Sequence, residues 1–234
     1  MSDAVTLSRH GDVAVIRIDD GKANALSFAI LASLDTALSE IERDAKAAVV
    51  IGREGKFSAG FDLSVMTGGN LDDARRLLGA GAELGMRIFS FPIPVVLGVT
   101  GHALAMGGIL ATTADYRVGA AGPFKIGLNE VAIGMPVPAF AVELTRDRLA
   151  KKWFTRCIQS AHVCSPEEAL DANFLDELVA PDAVEARSIE VAAQLAATVH
   201  PGPFRVTRRT IRGALVEQLR VGLEADLALF DLGA

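Results

Sequence analysis

Short β-branched runs alternate with segments of helical period up to about Pro136, and helical periodicity takes over after it. Val13 to Asp19 is strand-like, with Ala14, Ile16 and Ile18 on one face, and Val5 to Ser8 is placed to pair with it across a Gly11-Asp12 turn. Ser27 caps a helix that carries Ile30, Leu31, Leu34, Leu38 and Ile41 at helical spacing. Ala47 to Ile51 and Pro94 to Val99 are unbroken apolar runs, the mark of strands buried on both faces. A Gly-containing loop, Ser58 to Phe61, follows the first run, and Gly101 begins another loop after the second. The pattern predicts a helix from Asp72 to Ser90, a short apolar helix from Met106 to Thr113 and a short strand from Tyr116 to Val118. Beyond Pro136, the segments Ala139 to Thr155, Pro166 to Ala172, Ala183 to Thr198 and Phe204 to Phe230 all read as helices, and Ser165 with Glu168 forms a capping box. The whole predicts an α/β core followed by a helical C-terminal region.

Composition narrows the classes. The chain has 234 residues, half of them apolar, enough to bury a sizeable core. A net charge of −6 argues against a nucleic-acid partner held by bulk electrostatics, though it leaves room for a local basic spot. No apolar run reaches the ~18 residues of a membrane span. The N-terminus is polar and acidic rather than leader-like. Cys157 and Cys164 lack metal-like spacing and read as reduced thiols, so a soluble, cytoplasmic protein without a metal is expected.

Two apparent motifs fail. Gly79, Gly81 and Gly85 form a GxGxxxG pattern inside a helical segment, not between a strand and a helix, so they read as packing glycines rather than a dinucleotide site. Ser58 precedes Ala59-Gly60, but Lys56 replaces the first glycine of a nucleophile elbow, and His10, His102, His162 and His200 give no triad order.

Two loops share one character: Phe57-Ser58-Ala59-Gly60-Phe61-Asp62-Leu63 and Gly101-His102-Ala103-Leu104-Ala105-Met106-Gly107-Gly108. Each follows a buried strand, holds small residues and leads into a helix, whose first N–H groups are unpaired and favour negative charge. Brought together they would supply both donors of an oxyanion hole; read more plainly, they are tight strand-to-helix connections.

FSAGFDL and GHALAMGG, the latter followed by Asp115-Tyr116-Arg117-Val118, resemble the two oxyanion loops of the crotonase (enoyl-CoA hydratase/isomerase) superfamily. The resemblance spans Lys22 to the C-terminal helices. It implies the crotonase α/β spiral of ββα units over residues 1–180 and a helical trimerisation region over 181–234. It also implies an acyl-CoA substrate, with no cofactor beyond the CoA the substrate carries, and a homotrimer or hexamer. The N–H groups of Phe61 and Met106 become the two donors, Met standing where the family usually has Gly. Ala59, Gly60, Asp62, Leu63 and Gly107 surround them, and the Lys22-Ala23-Asn24-Ala25 loop meets CoA, with Lys22 the candidate for a phosphate. Asp62 equally suits a helix cap, and Asp115 a structural role.

The family's hydratases place one glutamate three residues after the second donor, where this chain has Ile109, and another four residues before a Gly, where it has Glu130 ahead of Gly134. The apolar neighbours Ile126, Leu128, Val131 and Ile133 would raise the pKa of that carboxyl. One glutamate suits proton transfer, and IGLNE after ADYRV resembles the mitochondrial Δ3,Δ2-enoyl-CoA isomerases. That reaction is the leading expectation, with Glu130, Phe61 and Met106 catalytic, Asn129 serving the turn, and Phe140 and Met66 candidates for the acyl pocket. Two alternatives stand beside it. One is a hydratase-like or other crotonase reaction with Asp62 or Glu143 as replacement acid; the other is a non-catalytic acyl-CoA binding protein.

Overall fold

The computed structural model describes residues 2–229. Its strands are β1 (Val5–His10), β2 (Val13–Ile18), β3 (Ala25–Leu26), β4 (Ala47–Ile51), β5 (Gly55–Ser58), β6 (Gly60–Phe61), β7 (Val95–Val99), β8 (Gly101–Leu104), β9 (Tyr116–Ala120), β10 (Ile126–Gly127) and β11 (Glu177–Val179). The helices are α1 (Phe28–Ile41), α2 (Leu63–Met66), α3 (Leu71–Phe89), α4 (Met106–Thr113), α5 (Ala139–Arg148), α6 (Lys151–Ile158), α7 (Pro166–Asp171), α8 (Val184–Thr198) and α9 (Pro201–Ala228).

The main sheet runs β1-β2-β4-β7-β9-β11, antiparallel at β1-β2 and parallel from β2 onward. Every residue of β4 and β7 is buried, as their unbroken apolar runs require. Because side chains alternate, Val49 and Ile51 face one core with Val184, Val191 and Ala192 of α8. Ala48 and Val50 face the larger core with Ala14, Ile16 and Ile18, the face expected from sequence.

Beside this sheet lies a parallel one of three short strands, β10-β8-β5, and a pair, β3-β6. Here the structure corrects the sequence reading. The segments around Ser58–Phe61 and from Gly101, read as loops, are largely strands. Their ends still turn directly into α2 and α4, and that places them at the site.

The expected helix Ala139–Thr155 is two helices. Leu149 takes an extended conformation to bury its side chain, and the Ala150 N–H leaves the helical ladder to donate to Ala172 O at 3.1 Å. β11 escaped sequence reading because three half-buried residues on an edge carry almost no pattern. The caps at Ser27 and the Ser165–Glu168 box form as expected. On α9, Leu219, Leu223 and Leu227 pack on the chain's own core; Phe230, the last residue expected on that stripe, lies outside the described residues.

Asp115 is structural, as expected. Its carboxylate accepts from Val95 N at 2.8 Å and from Arg208 Nη2 at 2.6 Å, tying the start of β7 to α9.

Candidate active site

Gly60 and Met106 are brought into contact by the two strand ends. Gly60 has φ +92°, and a Cβ built on it would stand 2.7 Å from Ala105 Cβ and 3.3 Å from Met106 N. Only glycine fits both the left-handed backbone and the close approach. Gly107 is pressed equally hard, its place for a Cβ only 2.5 Å from Ser58 O. Ala105 is held at φ 51°, ψ −124°, a strained setting for a residue with a Cβ, and gives α4 no side-chain cap. Met106 is therefore the first residue of a helix whose opening N–H has no intrahelical acceptor. Around Phe61 the neighbouring amides are committed: Ala59 N to Ala23 O, Gly60 N to Ser58 Oγ, Asp62 N to Leu26 O.

The Met106 side chain finds its room through the glycines of α3. A Cβ on Gly81 would come within 2.4 Å of the Phe61 ring and 3.6 Å of Met106 Cε, and one on Gly85 within 3.5 Å of the same Cε. The GxGxxxG pattern is thus a packing device: Gly81 and Gly85 make room for the two candidate donor residues, and Gly79 for Leu227.

In front of these turns opens a cavity of about 330 Å³, lined by Ala59, Phe61, Leu63, Met66, Leu78, Leu104, Ala105, Ile109, Asn129, Glu130, Ile133, Met135, Pro136, Pro138 and Phe140. Among the described residues, Glu130 is the only ionisable side chain on that wall. It begins a turn of 3-10 helix (Val131–Ile133) closed by Gly134 in the left-handed region at φ 83°, with Ile133 N and Met135 N both donating to Glu130 O. The turn exposes its neighbours but not the carboxylate: Glu130 is 8% exposed and its Oε2 is buried without a hydrogen-bond partner. Burial pushes its pKa from 4.5 up to about 7; the backbone N–H groups of Glu130 and Asn129 oppose the shift without cancelling it. Asn129 also lines the cavity.

Ile109, three residues into α4, faces the same cavity and is buried. Neither acid considered as its replacement lines this wall. Asp62 caps α2, accepting from Ser64 N at 2.9 Å and Ser64 Oγ at 2.7 Å. Glu143 is paired with Arg146 at 3.1 Å. Of the remaining expected site residues, Leu63 stands at the rim, 66% exposed, while Lys22 is solvent-exposed and Ala23 and Ala25 are half-buried away from the cavity wall.

The residue that sequence reading passed over is Asn24. It is fully buried at φ 53°, donates through Nδ2 to Ile18 O at 2.8 Å and to Phe57 O at 3.2 Å, and accepts from Asp20 N. Ser58 Oγ donates to Asn24 O and accepts from Gly60 N, so this serine is a strut and not a nucleophile. Together they stitch the Lys22–Ala25 loop to the Gly60 turn. Asn24→Ala leaves several buried carbonyls unpaired and is expected to lower stability by about 2–4 kcal/mol. A denaturant midpoint equal to the parent's would refute that role.

Comparison with known proteins adds the following. The enoyl-CoA hydratase/isomerase family profile matches residues 8–232. Human mitochondrial enoyl-CoA delta isomerase 1 is 29% identical over 222 residues, covering 93% of this chain and 73% of that protein. A probable enoyl-CoA hydratase of Bacillus subtilis is 37% identical over 200 residues, covering 83% of this chain and 75% of that one. The solved apo structure of a Mycobacterium tuberculosis enoyl-CoA isomerase superposes with TM-score 0.92 at 38% identity, covering 98% of this chain and 100% of its own. Similar proteins thus carry both reaction names, and the wall of the cavity has to discriminate between them.

Proposed function

The chain belongs to the enoyl-CoA hydratase/isomerase family, has the crotonase fold, and on that premise we propose that it is a Δ3,Δ2-enoyl-CoA isomerase with Glu130 as its one proton carrier. The observation that carries this reading is the cavity wall, where, among the described residues, a single desolvated carboxylate faces an otherwise un-ionisable surface and Ile109 fills the position of a second acid.

In the proposed reaction the Glu130 carboxylate takes a proton from C2 of a 3-enoyl thioester. The C2–H electrons form the C1–C2 double bond of a dienolate whose C3–C4 double bond is still in place, and negative charge moves to the thioester oxygen. The N–H groups of Phe61 and Met106 hold that oxygen, the interaction that grows as charge develops. Glu130, now a carboxylic acid, returns the proton to C4, and the double bond rests between C2 and C3, conjugated with the carbonyl. A carboxyl with pKa near 7 suits both halves, since it gives and takes a proton at comparable driving force. Hydration asks for more: a polar group to seat and activate a water and another to protonate C2. Ile109, Leu104, Met66 and Phe140 offer the water no anchor.

Ala59, Gly60, Leu63 and Gly107 frame the thioester, and the loop of Lys22, Ala23 and Ala25 meets the CoA moiety. Assembly as a trimer or hexamer belongs to the same proposal, and the exposed Val206, Ile211 and Val221 on α9 support it.

The test is a pair of substrates. Purified protein given 3-enoyl-CoA should build up the conjugated enoyl-thioester absorbance, and given 2-enoyl-CoA should consume it at least about 100-fold more slowly, the scale of one missing acid–base group. Hydration as fast as isomerisation would transfer the chain to the hydratases; turnover of neither would make it a binding protein.

A further inference from the structure

Away from the cavity, the connection between α6 and α7 gathers chemistry-bearing side chains that the reaction does not use. Cys157 lies in the last turn of α6, His162 and Cys164 in the connection, and Glu168 in the first turn of α7. His162, Cys164 and Glu168 each bring a donor atom within 4.8 Å of the others, and no other set of three His, Cys, Asp or Glu residues does so among the described residues. Cys157 Sγ stands 3.7 Å from Cys164 Sγ, and His162 Nε2 stands 3.1 Å from Glu168 Oε2. Ligands on a tetrahedral zinc ion, at about 2.3 Å for sulfur and about 2.0–2.1 Å for nitrogen or oxygen, are separated by roughly 3.8 Å for a sulfur pair and roughly 3.3 Å for a nitrogen–oxygen pair. The His162–Glu168 separation lies within a few tenths of an ångström of the nitrogen–oxygen edge, while Cys157 stays outside the set of mutually close donors.

The backbone holds the group in place. Cys164 exchanges two hydrogen bonds with Ile126, Ile126 N to Cys164 O at 3.0 Å and Cys164 N to Ile126 O at 2.8 Å. The capping box with Ser165 fixes Glu168. The two thiols form a buried floor, while the side chains of His162 and Glu168 are 33% and 39% exposed, so a solvated ion has a way in.

We propose that His162, Cys164 and Glu168 form a three-donor binding site for a thiophilic divalent transition-metal ion such as Zn²⁺, with water completing a tetrahedral shell. Thiolate and imidazole donors select such an ion over Mg²⁺ or Ca²⁺. The Cys164 thiol gives its proton to the buffer as its sulfur binds the metal. The Cys164–Ile126 bridge connects this site to β10, the strand that leads into Glu130, so an ion there braces the turn that carries the proposed base. The sequence spacing hides the site, because His162 and Cys164 come from a loop and Glu168 from the next helix.

The full chain, reduced and freed of metal by a chelator, is titrated with Co²⁺ as the probe. One equivalent should bind with thiolate-to-cobalt charge-transfer absorption and the intense visible bands of tetrahedral cobalt, and Zn²⁺ should displace it. Cys164→Ser should remove the charge-transfer band. Since that thiol is buried, the half-exposed positions carry the test independently: His162→Ala and Glu168→Gln should each weaken Co²⁺ binding by about tenfold or more, the loss of one direct ligand. Only the weak spectrum of six-coordinate cobalt, or binding unchanged in both surface variants, would overturn the proposal and leave a thiol contact beside an ion pair.

Discussion

Glu130→Gln is expected to reduce turnover of 3-enoyl-CoA by about 10²- to 10⁴-fold, the range of a lost general acid–base group. Gln keeps the shape and the turn, so binding of a saturated acyl-CoA should change little, and the loss falls on kcat. The parent enzyme's rate should rise with pH through about 7 and level off above it, because the carboxylate is the form that takes the C2 proton. Stability runs the other way. The folded-state pKa lies above the ordinary value of 4.5, so between about 4.5 and about 7 the folded chain binds more protons than the unfolded one. The contribution of this group is fully present below about 4.5 and is lost as pH rises through about 7, amounting to about 3–4 kcal/mol. The Gln variant should therefore be more stable than the parent at pH 8 and nearly equal to it at pH 4. Undiminished turnover would remove Glu130 from the mechanism, and an equal gain in Tm at both pH values would show that its carboxyl is not desolvated.

The apolar, β-branched runs that identified β2, β4 and β7 survive into the structure because those strands are buried on both faces, where hydrophobic burial leaves few choices of residue. The site was legible in part for a different reason. Backbone donors leave little side-chain signal, but the small residues that allow them, Gly60 and Gly107, must be there. Glu130 stood out as a charged residue within an apolar stretch. The positions left unread are those fixed by tertiary contact alone: the break at Leu149, the edge strand β11, and Asn24, whose three-way bonding joins residues distant in sequence. The α3 glycines were read as packing, yet nothing in the sequence says that Gly81 and Gly85 make room for Phe61 and Met106. A reader of periodicity sees a helix with a smooth face; the structure shows that this face is shaped to the Phe61 ring and the Met106 side chain.

That dependence on backbone shape sets the second large effect. Gly60→Ala should lower kcat by about 10²- to 10³-fold, the scale of one lost oxyanion donor, with a much smaller change in KM. Its Cβ would fall 2.7 Å from Ala105 Cβ and 3.1 Å from Leu104 O. Neither neighbour can rotate aside, and Ala105 already sits at positive φ, so relief comes by moving the first turn of α4 away from β6. That movement parts the N–H groups of Phe61 and Met106, which must meet one oxygen. The control is Gly11→Ala in the β1–β2 turn, also at positive φ (+60°) but with nothing within 4 Å of the added carbon. It should share the backbone penalty of about 1–2 kcal/mol and keep its turnover. If both variants lose stability and rate in proportion, the effect is general unfolding and the oxyanion reading fails. If Gly60→Ala alone loses kcat while still binding acyl-CoA, the crowded turn is what holds the enolate oxygen.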